Sequence, residues 1–535
     1  MLISRLLVGF PLYFLVEATS KEALWTTLKK DQVFKNLQYK RHSPLPWEGE
    51  DIAADGQFPA GITQHFFQQR LNHFNRSSAE IFPMRYWKSL RHYREGGPII
   101  VVLGGEVAAD LRVPVLDYGI VDLLARETHG MGIVLEHRYY GRSIPVPDYT
   151  TKNMKWLTID QALEDVVNFA QNVNLGFGEM TNSPNSPWFL YGGSYAGAQA
   201  AFLRARAPDV IFGSIASSAV VIGKIDFWEY RETIRRTGGV CSEQIVQLIA
   251  YIDDILNLHD PAQTNILKDS FGLGPLNDLD FVQAIQAPFE AWQAQTWEKP
   301  QSQNAWLRYC DVLAANVSSV VPPAQQFRQV LANFQKTISS SVQEQCPDKD
   351  GRNQIVNCYG TIELPHGGLP FDLGQTERPW AYLSCTSLGF FTPAAPAGVP
   401  SMISRLIDPK ASNDCAALFD DLPAAIPASP DLTRYNKYGE LALSNKTDRI
   451  MFVDGERDPW LYATAHSPYA PARAGTEQNP FELMRGAVHR WDESGVRPGS
   501  GLVLPAEVER VQRLQVSTTK QWLDEWHRIR FEGLA

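Results

Sequence analysis

Ser194, Asp458 and His489 stand far apart in the chain, and together they have the side-chain types needed for acyl transfer. A serine hydroxyl becomes a usable nucleophile when an imidazole takes its proton, and the imidazole keeps the right tautomer when a carboxylate holds its other nitrogen. Ser194 lies in WFLYGGSYAGAQAAFLRARAP, Trp188 to Pro208, where a β-rich apolar run meets Gly192-Gly193-Ser194 and passes at once into an Ala/Leu/Arg helix former. That pattern is a nucleophile elbow, a sharp strand-to-helix turn that lifts one hydroxyl above the end of a sheet. Gly192, Ala196 and Gly197 are small enough to let backbone pass on either side. The same letters also suit a plain helix N-terminus capped by the Ser194 hydroxyl. An acid and a base downstream decide between the two readings.

The acid is sought at the carboxyl end of a strand. RIMFVDGERDPW, Arg449 to Trp460, is an apolar run ending in a turn with Asp458, and Asp454 is the competing carboxylate. Beyond Asp458 the chain contains His466, His489 and His527. His466 is very close in sequence and His527 sits in the amphipathic run QWLDEWHRIRF, which leaves His489, in the loop-like RGAVHRWDE. The order Ser, Asp, His is that of α/β-hydrolases. A tetrahedral oxyanion needs preorganised donors: the backbone N–H of Tyr195 is one candidate, and the Gly104-Gly105-Glu106 turn, with Gly105 at its centre, can supply another. Trp460 follows the acid closely enough to wall a binding site, and Glu106 is either an amine-binding acid or a structural buried carboxylate. The chemistry calls for no cofactor and no metal, and no cysteine spacing suggests zinc.

These residues need a scaffold. Pro98 to Leu103, Gly132 to Leu135, Trp188 to Tyr191, Phe212 to Ala216 and Ile450 to Val453 are short apolar runs bounded by turn residues, as buried parallel strands are. Thr158 and Gln161 make a capping box ahead of a helix with Ala162, Val166, Phe169 and Val173 on one face. Val508, Val511, Leu514, Trp522 and Trp526 predict C-terminal helices packed back on the sheet. From about Val221 to Tyr435 the pattern turns helical, as in CSEQIVQLIAYIDDILN, with Pro/Ala stretches TPAAPAGVP and LPAAIPASP between. The expected architecture is therefore an α/β-hydrolase fold with a large inserted helical cap. The hydrolase core occupies 45–220 and 436–535, and the cap, which restricts the substrates that enter, occupies 221–435.

At 535 residues the chain is too long for one ordinary core. A net charge of −10 excludes nucleic acid as a partner, because no basic stripe exists to replace phosphate counterions. Arg5, the apolar run Leu6 to Val16 and the small-residue region near Ala18 have the order of a secretory signal over 1–20. No other stretch is apolar and long enough to span a membrane. Sequons at Asn75, Asn316 and Asn445 agree with secretion. All six cysteines, Cys241, Cys310, Cys346, Cys358, Cys385 and Cys415, lie between the nucleophile and the acid, which in a secreted chain predicts up to three disulfides in the cap.

Segments FFQQRLNHFN (Phe66 to Asn75), GGPIIVVLGGE (Gly96 to Glu106), EHRYYGRSIP (Glu136 to Pro145), LTIDQALED (Leu157 to Asp165), GGSYAG, Asp458-Pro459-Trp460 and Gly486-Ala487-Val488-His489 occur in that order. In them the chain resembles the serine peptidase family of lysosomal Pro-X carboxypeptidase, dipeptidyl peptidase II and the fungal acid prolyl endoproteases. It departs from the family at Ala196, where Gly is common, and in its version of the Gly104-Gly105-Glu106 turn. The resemblance implies a secreted or lysosomal/vacuolar serine peptidase acting on proline-containing peptides or proteins, with Trp460 beside the proline ring. It leaves open cleavage of a C-terminal residue after proline, internal cleavage, and release of N-terminal X-Pro or X-Ala dipeptides. An esterase or lipase shares the elbow, and a homodimer is an admissible assembly. It also implies the pairing of Cys385 with Cys415, to which Cys346 with Cys358 and Cys241 with Cys310 are added.

Overall fold

The computed structural model describes residues 58–346, 352–360, 371–413 and 415–532, and the expected signal at 1–20 lies outside them. The elements centre on an eight-stranded sheet: β1 (Ile62–Arg70), β2 (Ile81–Ser89), β3 (Ile99–Leu103), β4 (Met131–Leu135), β5 (Trp188–Gly193), β6 (Gly213–Ser217), β7 (Ile450–Gly455) and β8 (Phe481–Met484), hydrogen-bonded in the order β1-β2-β4-β3-β5-β6-β7-β8. The β1/β2 and β2/β4 pairs are antiparallel and every pair from β4 to β8 is parallel. This is the α/β-hydrolase fold.

Every residue of β3 to β7 is buried, which is why these strands read as largely apolar runs. β1, β2 and β8 were not among the strands expected from sequence. β1, ITQHFFQQR, is buried only at scattered positions and carries Gln, His and Arg, so it has the weak signature of an edge strand.

Four helices of the sheet unit concern the site: α1 (Ile120–Thr128), α2 (Ile159–Asn172), α3 (Tyr195–Arg206) and α4 (Ala506–Glu532). At α2 only half of the expected capping box forms. The Gln161 N–H donates to Thr158 Oγ1 at 3.2 Å, but the Gln161 side chain turns away, accepting from His73 N (3.0 Å) and donating to Asn72 Oδ1 (2.7 Å). A tertiary demand wins here, because the amide satisfies the turn after β1 instead of its own cap. The C-terminal stretch is one helix where several were expected. On α4, Val508, Val511 and Trp522 are buried, and the Trp522 indole stacks on Phe189 of β5 with centroids 6.3 Å apart. Trp522 also makes Gly213 obligatory, since a Cβ there would lie 2.7 Å from Trp522 Cε3. Truncating Trp522 to Ala would cost about 3–5 kcal/mol.

The described residues separate into two compact units, one from 58–225, 371–389 and 429–532 that holds the sheet, the other from 226–346, 352–360, 390–413 and 415–428. Where the sequence suggests one continuous insertion over 221–435, the short segment 371–389 groups with the sheet instead. The second unit is helical, built on Gly239–Asn257, Asp278–Ile285, Ala305–Leu313 and Pro323–Gln345. Phe271 packs against Phe281 and Phe334 at 5.5 and 5.3 Å, and Trp292 meets Trp306 at 5.0 Å. Disulfides join Cys241 to Cys310 and Cys346 to Cys358; Cys385 and Cys415 are also disulfide-bonded, so no thiol is free. Asn75, Asn316 and Asn445 are exposed. No described helix is long and apolar enough to cross a membrane.

Candidate active site

β5 runs between β3 and β6 in the middle of the sheet and delivers Ser194 at its carboxyl end. Ser194 has φ 64° and ψ −129°, a backbone conformation costing on the order of 1–3 kcal/mol for a residue with a Cβ. Its surroundings over-determine that conformation. Ser194 N donates to Ser217 O on β6 at 2.9 Å, and Ser194 O accepts from Ala198 N in the first turn of α3. Ser194 stands at the N-cap position of α3 but its side chain makes no capping bond, so the plain-cap alternative is overturned. The neighbouring glycines are steric requirements: a Cβ on Gly192 would lie 2.1 Å from Ala196 O, and one on Gly197 2.8 Å from Ser217 O. Gly193, which sequence reasoning did not single out, is the third; its Cβ would lie 2.3 Å from Arg490 Cδ.

That last contact brings in the segment of the expected base, His489. Arg490 follows His489, and its backbone N donates to Ser218 Oγ at 3.0 Å, one residue beyond the carbonyl that anchors Ser194. The chain flanking His489 therefore lies against the chain flanking Ser194. His489 is buried, its Nδ1 2.8 and 3.0 Å from the two oxygens of the buried Asp458. Its Nε2 is buried without a hydrogen-bond partner, including Ser194 Oγ. Contacts of this kind are commonly long in a substrate-free site and close with substrate bound. An Asp458-held Nδ1–H leaves Nε2 as the lone-pair nitrogen, the tautomer a general base requires.

The competing residues resolve against each other. Asp454 Oδ2 lies 2.7 Å from His466 Nδ1, and the His466 ring stacks on Phe481 at 3.6 Å. His527 lies on α4 beside Trp526.

The expected oxyanion donors lie just beyond β3 and at the start of α3. Gly104 continues the ladder to Leu135 O at 2.8 Å, and Gly105 then turns at φ 70°. A Cβ on Gly105 would stand 3.4 Å from Ala196 Cβ, so this turn runs along the N-terminus of α3. Tyr195 is the first residue of α3, where a backbone N–H has no partner inside the helix. Glu106 is buried, and that burial pushes its carboxyl above the usual carboxylate range against the opposing pull of Arg112, Arg490 and His489. The Tyr195 ring packs on His137 at 5.7 Å and on Trp380 at 6.1 Å. Burial holds His137 neutral, its imidazole lowered to about 4. Trp460 is buried, and its backbone N donates to Asp458 Oδ1 at 2.9 Å, which ties the aromatic residue to the acid.

Asp492 and Glu493 were not among the candidates from sequence, since acids in a loop are usually solvated. Both are buried. Asp492 accepts from Tyr191 Oη (3.0 Å), Gln515 Nε2 (2.7 Å) and Ser217 Oγ, joining the His489 loop to β5, β6 and α4. Burial pushes its carboxyl up to about 6. Among the described residues no group of His, Cys, Asp and Glu side chains is arranged to hold a metal ion.

The profile of a family described as serine carboxypeptidase S28 matches residues 69–473. A probable extracellular serine carboxypeptidase of Arthroderma benhamiae is 34% identical over 518 residues, covering 90% of this chain and 70% of the relative. The serine protease vicPa of Bipolaris victoriae is 29% identical over 456 residues, with 80% and 83% covered. The thymus-specific serine protease of Homo sapiens is 29% identical over 460 residues, with 81% and 82% covered.

Proposed function

The chain belongs to the serine carboxypeptidase S28 family and is a serine peptidase, and from that premise we propose that it is secreted and hydrolyses peptide bonds on the carboxyl side of proline through Ser194, His489 and Asp458. Ser194 Oγ attacks the scissile carbonyl while His489 Nε2 takes its proton. Asp458 holds Nδ1–H and stabilises the imidazolium. The oxyanion is held by the N–H groups of Tyr195 and Gly105, each such donor contributing on the order of 2.7–4 kcal/mol. The imidazolium then protonates the leaving amine, and water, deprotonated by the same nitrogen, releases the acyl group from Ser194. The observation that carries this reading is the unpartnered, buried Nε2 of His489, on a loop packed against the residue before Ser194.

Proline at P1 rests on Trp460. The residue is tethered to Asp458, and a flat indole suits a rigid ring that lacks an N–H. The exposed asparagines of the three sequons support passage through a secretory pathway.

The test is incubation of the purified full-length protein with proline-containing peptides, blocked and unblocked at each end, with products read by mass spectrometry. Cleavage after proline is expected. Products confined to N-terminal dipeptides of unblocked peptides would assign the dipeptidyl mode. Cleavage indifferent to proline would remove the specificity, and turnover of simple esters with no peptide cleavage would remove the reading.

A further inference from the structure

Glu493 receives two guanidinium groups from two segments distant in sequence. Arg112, on the short helical turn Ala109–Leu116 that follows Gly105 and Glu106, places Nη1 2.9 and 3.1 Å from the two Glu493 oxygens. Arg490, the residue after His489, places its own Nη1 2.9 Å from Glu493 Oε2. The Glu493 backbone is fixed too, its carbonyl accepting from Ile120 N at the start of α1 at 3.0 Å. All three side chains are largely shielded from solvent, where a shared carboxylate couples its partners more strongly than on a surface.

The assembly packs against Gly193, the residue before Ser194. Arg490 Cδ lies 2.3 Å from where a Cβ of Gly193 would be, and Glu493 Oε2 is 3.3 Å from that same point. Arg490 adopts a positive φ of 57°, an unfavourable conformation for a residue with a side chain, which persists only where neighbours hold it. Its neighbours are Glu493 at the guanidinium and Ser218 Oγ at the backbone. His489, whose ring is held by Asp458, is the next residue back along this loop.

We propose that Glu493 is a positioning residue for the reaction: by binding Arg490 and Arg112 together, it locks the loop that carries the His489 base to the turn that carries the oxyanion donors. The inference rests on the assignment of Ser194 as nucleophile and His489 as base. It adds a device that sets the distance between the two halves of the site before substrate arrives, and misplacement of about 1 Å in such a site can cost about 100-fold.

The same carboxylate contributes charge beside the imidazole. The charged and titratable groups around it are Arg112, Arg490, His489, Glu106, Asp492 and Tyr191. His489 acts as base in its neutral form, and a nearby anion favours imidazolium. Removing the anion therefore lets the base work at lower pH, and removing a nearby cation does the reverse. Glu493 itself stays ionised, because Arg112 and Arg490 outweigh burial and hold its carboxyl below the usual range.

The test compares Glu493→Gln, Arg112→Gln and the double variant with the wild type on one proline substrate. Glu493→Gln is expected to lower kcat by about 10–100-fold with little change in KM, and to move the acidic limb of kcat/KM to lower pH. Arg112→Gln, which cuts the same bridge and serves if the first variant fails to fold, is expected to lower kcat and move that limb to higher pH. The double variant should lose less than the product of the two single losses, as residues sharing one interaction do. An unchanged kcat in a folded single variant, or losses with no opposed movement of the limb, overturns the proposal and leaves Glu493 structural. Residual turnover by Ser194→Ala would instead remove the catalytic assignment beneath it, so the two failures are distinct.

Discussion

Gly105 and Ala196 face one another across the site, with a Cβ on Gly105 projected 3.4 Å from that of Ala196. This is ordinary contact, so a methyl group at position 196 is accommodated where the resembling family commonly has glycine. The turn after β3 therefore passes the first residues of α3 with room for about one methyl group between them, and these are the two backbones proposed to supply the oxyanion donors.

Ala196→Val adds two methyl groups, more than that room holds, and should push the Gly105 turn away from α3. The expected outcome is a fall in kcat of about 10–100-fold with KM nearly preserved, read by steady-state kinetics on a proline substrate. A variant with wild-type kcat would mean that the turn at Gly105 contributes no oxyanion donor.

Ser194→Ala should remove turnover, by a factor on the order of 10⁶, and leave the thermal unfolding temperature close to that of the wild type. The hydroxyl makes no capping bond to α3, so its loss takes nothing from the helix. Activity well above this floor would transfer the nucleophile to another group.

Trp460→Ala is expected to reduce kcat/KM by about 10–200-fold for proline at P1, and by less for alanine, since the larger ring fills more of the pocket. Matched Pro and Ala substrates decide the matter. An equal fall for both would mean that Trp460 only supports Asp458, to which its backbone N donates.

Asp492 makes stability depend on pH in a definite direction. Its folded-state carboxyl is raised to about 6 by burial, with the hydrogen bonds from Ser217, Gln515 and Tyr191 only partly opposing this, while the unfolded chain has an ordinary carboxyl near 3.8. The folded state therefore binds the proton more tightly. The stabilising contribution is fully present below about pH 4 and is lost as pH rises through about 6, on the order of 3 kcal/mol in all. Melting curves from pH 4 to 7 should show the wild type losing stability relative to Asp492→Asn, which has no carboxyl to ionise. Parallel curves would refute the assignment.

How much of this was legible in the chain depends on the range over which each feature is decided. The elbow is local: Gly192, Ser194, Ala196 and Gly197 crowd one turn, and an apolar strand leading into a helix former announces it. The five buried parallel strands are legible because both their faces are covered and their residues are almost all apolar. The order of serine, acid and imidazole is one-dimensional as well, and it points to Asp458 and His489, whose hydrogen bond forms only in the fold.

Tertiary structure decided whatever depends on residues distant in sequence. Gln161 reads as half of a capping box, but its amide meets Asn72 and His73 because β1 returns there, and no local pattern encodes that return. β1, β2 and β8 have mixed polarity because they lie toward the sheet edges, so periodicity did not reveal them. Asp454 and His466 stand in the sequence as rivals to Asp458 and His489, and the fold pairs them with one another. Asp492, Glu493 and Arg112 look like solvated charges in the sequence. Their burial follows from the packing of α4 and the turn after β3 around the elbow, and a buried charge acquires its partners, and hence its role, only when the chain has closed over it.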